Sequence, residues 1–408
     1  MRRYITLLAM LTIVATASFF LLASSNVGVV AASGSRIIVP HSNIERPEDI
    51  GVRAHTNFLI YSSGDSPNAS APPPGANTPG SVACIYRLVK QTAGCPIATS
   101  TTIPTGGVAA IALVDAFDNP NAVQDLQTFA SQFGYPAPNF QVVFANGHRP
   151  ANDPGGWSLE EALDIEMAFA MAPQAKIFLV EADDNSFTNL LIAEDKAAQL
   201  VVQNGGGTIS NSWSAFEFQG EQQMDSHFKV PGVIYFASTG DAGDVVGYPA
   251  VSPFVTAVGG TSINRTGAGK FSSETYWTGG GGGISVVEKR PAYQNVIKNI
   301  VGNFRGTPDI SAVANPNTGV AMYDADGGFG WLQIGGTSVS SPLMAGIVDA
   351  AGKLRKSTAA ELTAVYKEYA NPTQYQQWYR DVKIGTNNCK VGWDICTGVG
   401  APLSYQGK

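Results

Sequence analysis

Residues 176–213 read KIFLVEADDNSFTNLLIAEDKAAQLVVQNGGGTISNSW. Residues 176–181 form a short apolar run ending on an acid, which predicts a strand. Residues 186–203 have helical spacing, and residues 208–212 read as a second strand. The same alternation continues outward on both sides. Residues 108–115 (VAAIALVD), 140–145 and 233–238 are further strand candidates, while 119–133, 158–172 and 216–228 read as helices. Strands alternating with helices predict an α/β fold with a parallel central sheet flanked by helices on both faces. Functional loops in such sheets lie outside the carboxyl ends of the strands. Asp115, Asn211 and Asp241 sit at or just past such ends.

The chain has 408 residues, enough for one large α/β domain with an N-terminal extension, or for two domains. Hydrophobic residues make up 44% and charged residues 14%, with 45 glycines, which excludes a disordered chain and implies many tight loops. The net charge is −7 and no basic stripe stands out, so a nucleic-acid partner is not expected. Arg2 and Arg3 precede a long apolar run, and Val30-Ala31-Ala32 offers a small-residue cleavage site. Residues 1–32 are therefore expected to be a signal peptide, with a membrane anchor as the rival reading and no further span elsewhere. Residues 33–77 are expected to be a leader. Its Pro-, Ser-, Gly- and Asn-rich part, starting near Ser62, reads as a flexible linker. The folded domain is expected over 78–405. Export permits disulfides. Cys84 with Cys95 and Cys389 with Cys396 are expected as small loop staples, although four cysteines allow three pairings.

Three pieces carry chemistry. In Gly335-Gly336-Thr337-Ser338, a glycine turn delivers a serine to the start of an apolar helix, where the hydroxyl meets a positive helix terminus. Such a serine is either a nucleophile or an ordinary helix cap. A nucleophilic serine needs a base, and the chain has no helix of the H-G-T-H type. His148 stands in a loop. What occupies a helix instead is WSLEEALDIE, from Trp157 to Glu166. Ser158 and Glu161 fit a capping box. Glu160 and Asp164 are four apart and share a face. The helix continues almost wholly apolar, so it should be buried, and two carboxylates there are costly unless they share a proton. The third piece is Ser238-Thr239-Gly240-Asp241, a strand running into a glycine turn. A protonated Asp241 could donate to an oxyanion; otherwise it is a turn residue.

Taken in order, these pieces resemble the sedolisin family of serine-carboxyl peptidases. The family's Glu and Asp four apart on one helix, its Asp in S-x-G-D and its Ser in G-T-S fall on Glu160, Asp164, Asp241 and Ser338. Residues 78–86, 277–294 and 305–311 are similar to further family stretches, and the likeness covers about 78–402. The resemblance implies a subtilisin-like fold and a secreted, monomeric endopeptidase acting on polypeptides in acid, with no membrane partner after signal removal. In it Ser338 attacks, Glu160 takes its proton, Asp164 orients Glu160, and Asp241 stabilises the oxyanion. It also implies one calcium ion held by Asp381, Asp394 and the carbonyls of Val382, Lys390 and Gly392. Lys390 stands where the family usually has glycine, and the loop between the acids is short. Trp213 matches a family tryptophan near the carboxylates. Sedolisins usually carry a large folded pro-domain, for which the stretch between Ala32 and Gly107 is short. Two rival readings stay open: a Ser-His-Asp peptidase using Asp115, His148 and Ser338, and a non-catalytic binding protein on the same scaffold.

Overall fold

A computed structural model of the chain describes residues 36–62, 69–386 and 388–408. The expected signal peptide and residues 63–68 of the expected linker lie outside these residues, while the rest of that linker is described and bridges to Gly330 at Ala69 and to Val320 at Asn77. Eight strands build the main sheet: β1 Ala110–Ala116, β2 Phe140–Phe144, β3 Lys176–Ala182, β4 Gly207–Asn211, β5 Val233–Ser238, β6 Thr256–Arg265, β7 Phe271–Tyr276 and β8 Ile310–Val313. Their order is β7-β6-β5-β4-β1-β3-β2, with β8 also paired to β6. Every pairing is parallel except β6 with β7. Antiparallel β7 returns along β6 directly, whereas the parallel neighbours of β1 need crossovers.

Alternation along the strands sends side chains to two separate cores. Ile111 and Leu113 face one core with Leu163 and Phe169 of the helix Trp157–Met171 and Val339 and Leu343 of the helix Thr337–Ala350. Ala112 and Val114 face the other, with Leu190 and Val201 of the helix Phe187–Gln203. Both faces are thus covered, as continuous apolar runs require. The two central helices approach closely at Gly346. A Cβ there would lie 2.7 Å from the Ala168 carbonyl oxygen and 2.9 Å from Met171 Cβ.

Two local expectations differ from the structure. The helix expected from Ser158 starts at Trp157 behind Gly156, and Asp153 accepts from the Trp157 N–H at 3.0 Å. Ser158 therefore does not cap, and Glu161 turns into the interior. The segment 216–228 is not one helix. It holds two 3₁₀ turns, Glu221–Gln223 and Asp225–Phe228, after Gly220 takes a positive φ of 97°. The stretch before residue 63 also contributes to the fold. Its strand His55–Thr56 pairs with Trp213–Phe216, and Leu59–Ser62 pairs with Gly330–Gly335. Disulfides join Cys84 to Cys95 and Cys389 to Cys396.

Candidate active site

The site lies beyond the carboxyl ends of the parallel strands. β1 delivers Asp115, β4 leads into Ser212 and Trp213, and β5 leads into Asp241. The two central helices bring Glu160 and Asp164 to face Ser338. Ser338 Oγ donates to Glu160 Oε2 at 2.9 Å and also sits 3.1 Å from the Ser212 carbonyl oxygen. Ser212 Oγ lies 2.6 Å from Asp164 Oδ1 and 3.4 Å from the Ser338 carbonyl oxygen. Its single proton goes to the shorter contact. Pro342, four residues beyond Ser338 in the helix, has no N–H to give that carbonyl.

Ser338, Glu160, Asp164 and Asp115 have no exposed surface. Burial therefore disfavours their charged forms. It raises Glu160 well above the ordinary carboxylate range, and the Asp115 carboxyl raises it further. Asp164 is raised first by burial, then by Asp115 and Glu160. Glu160 Oε1 and Asp164 Oδ2 find no donor among the described residues. The two carboxyls interact with each other, and a shared proton satisfies both. Asp115 itself is pushed up to about 8 by burial, and neither of its oxygens has a hydrogen-bond partner among the described residues. Trp213 fixes the strand that carries it, since its indole N–H donates to the Val114 carbonyl at 2.9 Å.

Asp241 meets the other side of Ser338. Its Oδ1 accepts from the Thr337 N–H at 2.8 Å and lies 2.9 Å from Thr337 Oγ1. Its Oδ2 is buried without a hydrogen-bond partner among the described residues. Burial pushes Asp241 up to about 7, against the pull of the Thr337 bonds. A neutral carboxyl with one free O–H beside a nucleophile's backbone N–H can stabilise a developing oxyanion. The glycine run supports this loop, because Gly281 N–H donates to the Gly240 carbonyl at 2.8 Å. A Cβ at Gly281 would lie 2.0 Å from the Thr239 carbonyl oxygen.

The structure does not bring His148 to Ser338. His148 is exposed and pairs with Asp183 at 3.3 Å. The other three histidines pair with Asp153, Asp49 and Asp195. Among the described residues no histidine bonds Ser338, Asp115, Glu160 or Asp164.

Sequence reasoning left Asp115 outside the set, although its signal was present as an acid ending an apolar strand. It also read Glu161 as the capping-box partner of Ser158. Glu161 is fully buried and raised by burial, then by Glu181 and Asp115, so the acidic cluster extends past the Glu160–Asp164 pair.

At the C-terminus, Asp381 Oδ1 accepts from the Gly392 N–H at 3.1 Å, and Asp394 Oδ2 accepts from the Lys390 N–H at 2.6 Å. Both acids therefore close on one turn. Among the described residues, no three acidic, His or Cys side chains stand together as metal ligands. A cation here would rely on two carboxylates and backbone carbonyls, an all-oxygen set that fits calcium and not zinc.

A buried serine facing buried carboxylates beyond the ends of a parallel sheet points to a class of peptidase, and comparison with known proteins agrees with that class. The family model of the subtilase family matches residues 142–385. The chain is 31% identical to kumamolisin of Bacillus sp. (strain MN-32) over 73% of its own length and 58% of that protein's. It is 27% identical to sedolisin of Pseudomonas sp. (strain 101) over 74% of its length and 57% of that protein's. The solved structure of Pseudomonas sedolisin, a serine-carboxyl proteinase complexed with two molecules of pseudo-iodotyrostatin, superposes with a TM-score of 0.66 at 25% identity. That match covers 83% of this chain and 96% of that one. The chain belongs to the subtilase family, in its sedolisin branch, with a subtilisin-like fold. It spans less than three-fifths of the length of those two curated relatives.

Proposed function

We propose that the chain is a serine-carboxyl endopeptidase that hydrolyses unfolded polypeptides in acid. The observation that carries this reading is the 2.9 Å bond from Ser338 Oγ to Glu160 Oε2 inside a buried acidic cluster. Glu160 accepts the Ser338 proton as Oγ attacks the substrate carbonyl. Asp164 shares a proton with Glu160 and holds it in place. The oxyanion is met by the Ser338 N–H and the protonated Asp241. Glu160 returns the proton to the leaving amine, and water then hydrolyses the acyl-enzyme. A carboxyl base and a neutral Asp241 both belong to acidic solution. The sequence similarity to kumamolisin and sedolisin supports the same chemistry.

Residues 78–405 form the peptidase domain in this reading, with a calcium ion bracing the turn between Asp381 and Asp394 through Val382, Lys390 and Gly392. Two disulfides suit an oxidising, extracellular setting. No helix among the described residues is long and apolar enough to cross a membrane. The test is hydrolysis of an unfolded protein in acid by the parent, Ser338→Ala and His148→Ala. The reading expects loss in the first variant and near-parent activity in the second. Activity lost with His148 and kept near neutral pH would favour the Ser-His-Asp alternative.

A further inference from the structure

The first N–H groups of any helix have no partner inside it. The helix Thr337–Ala350 begins directly after Gly336, which takes a positive φ of 111°. Its Thr337 N–H donates to Asp241 Oδ1 at 2.8 Å. Its Ser338 N–H donates to the Asn57 carbonyl oxygen at 3.0 Å. That oxygen marks where an acceptor sits beside the nucleophile. A Cβ on Gly336 would lie 2.1 Å from it and 2.6 Å from Asp241 Oδ2, so Oδ2 converges on the same place.

The Thr337 side chain has no exposed surface. Its branched Cβ restricts the rotamer. A Cβ on Gly260 would lie 3.4 Å from the Thr337 methyl, so the methyl packs toward β6. The hydroxyl meets the Asp241 turn. It accepts from the Gly240 N–H at 3.1 Å and donates its one proton to Asp241 Oδ1 at 2.9 Å. Oδ1 therefore receives two donors, the N–H and the hydroxyl of Thr337, and both of its lone pairs are used. A proton on the Asp241 carboxyl is left with Oδ2, the oxygen that has no hydrogen-bond partner among the described residues.

Resting on the peptidase reading, we infer that Thr337 is a positioning residue whose hydroxyl places the Asp241 proton on Oδ2, where it meets the developing oxyanion. Without the hydroxyl, Oδ1 keeps a free lone pair, and the proton divides between an oxygen that faces the oxyanion and one that does not. The Gly240 N–H also loses its acceptor, so the turn carrying Asp241 is held less firmly. The direction of the pH effect follows from the same bond. A donor to a carboxylate favours the charged form. Removing the hydroxyl therefore raises Asp241 and moves the alkaline fall in activity upward. Three other titratable groups stand near Asp241. Glu160 interacts with it from the helix Trp157–Met171, and Glu45 and His55 line the same cavity. Among the described residues none of the three hydrogen-bonds Thr337, so a change at Thr337 acts through Asp241.

The test is the pH dependence of kcat and KM on a fluorogenic peptide for the parent, Thr337→Val, Thr337→Ala and Thr337→Ser. Valine keeps the shape and removes the hydroxyl. Thr337→Val should lower kcat about tenfold, short of the loss of about 10²–10³-fold expected when a whole oxyanion donor goes. Its KM should stay within about threefold of the parent's. Its alkaline limb should move up by about 0.5–1 pH unit. Thr337→Ser keeps the hydroxyl and should restore both kcat and the limb. In Asp241→Asn, where that position no longer titrates, adding Thr337→Val should shift no limb. Thr337→Ala carries the same expectations as Thr337→Val and stands where the valine variant fails to fold. A kcat loss with the limb unmoved, or a Thr337→Ser variant as slow as Thr337→Val, would overturn the inference and leave the peptidase reading in place. A parent without activity at any pH would take down both.

Discussion

Asp241 shows how one position sets the working range. Burial pushes it up to about 7, so it is protonated in acid and ionised above neutrality. Only the protonated form donates to an oxyanion. Activity should therefore fall as pH rises through about 7. In Asp241→Asn the amide donates at every pH, so that alkaline limb should move upward or vanish in a kcat/KM profile, whatever the loss in peak rate. Asp241→Ala removes the donor and should cost about 10²–10³-fold in kcat. At the same scale, Ser338→Ala should lose at least about 10⁴-fold. Steady-state kinetics on a fluorogenic peptide measure all three.

The elements were legible to the extent that their apolar period was. Strands β1 to β5 and their crossover helices follow from runs such as residues 108–115 and 176–181, because burial on both faces leaves no polar alternation to confuse the reading. The segment 216–228 was misjudged because Gly220 breaks a pattern whose residues suited a helix. Ser158 and Glu161 matched a capping box, but Asp153 takes the capping task, so Glu161 is free to turn inward. Glu160, Asp164, Asp241 and Ser338 stood out by motif and are brought together around one point. Residues 54–62 did not stand out, since pairing across a cleft leaves no local periodicity and the neighbouring segment has linker composition. The packing of the two central helices makes its own prediction. Gly346→Ala places a methyl 2.7 Å from the Ala168 carbonyl oxygen and should destabilise by about 1–3 kcal/mol, read from denaturant unfolding.

At the scale of the molecule, the buried carboxyls tie stability to pH. Asp115 is raised to about 8 and Glu181 to about 9, both chiefly by burial. Their folded values exceed the unfolded ones, so the folded state holds protons that the unfolded state releases. Their stabilisation is full below the unfolded carboxyl range near pH 4 and drains as pH rises through 8 and 9. Thermal unfolding of Ser338→Ala, which cannot digest itself, should show Tm falling steadily from about pH 4 to 9. A proposed calcium at the Asp381–Asp394 turn adds a second lever. Chelation should lower Tm, and calcium should restore it by mass action. The central claim is that a carboxyl, and not a histidine, activates Ser338. The most direct measurement is the pH dependence of peptide hydrolysis by the parent and by Glu160→Ala. Activity confined to acid in the parent and reduced by about 10³-fold or more in Glu160→Ala is the predicted result. Activity that peaks near neutral pH and survives in Glu160→Ala would contradict it.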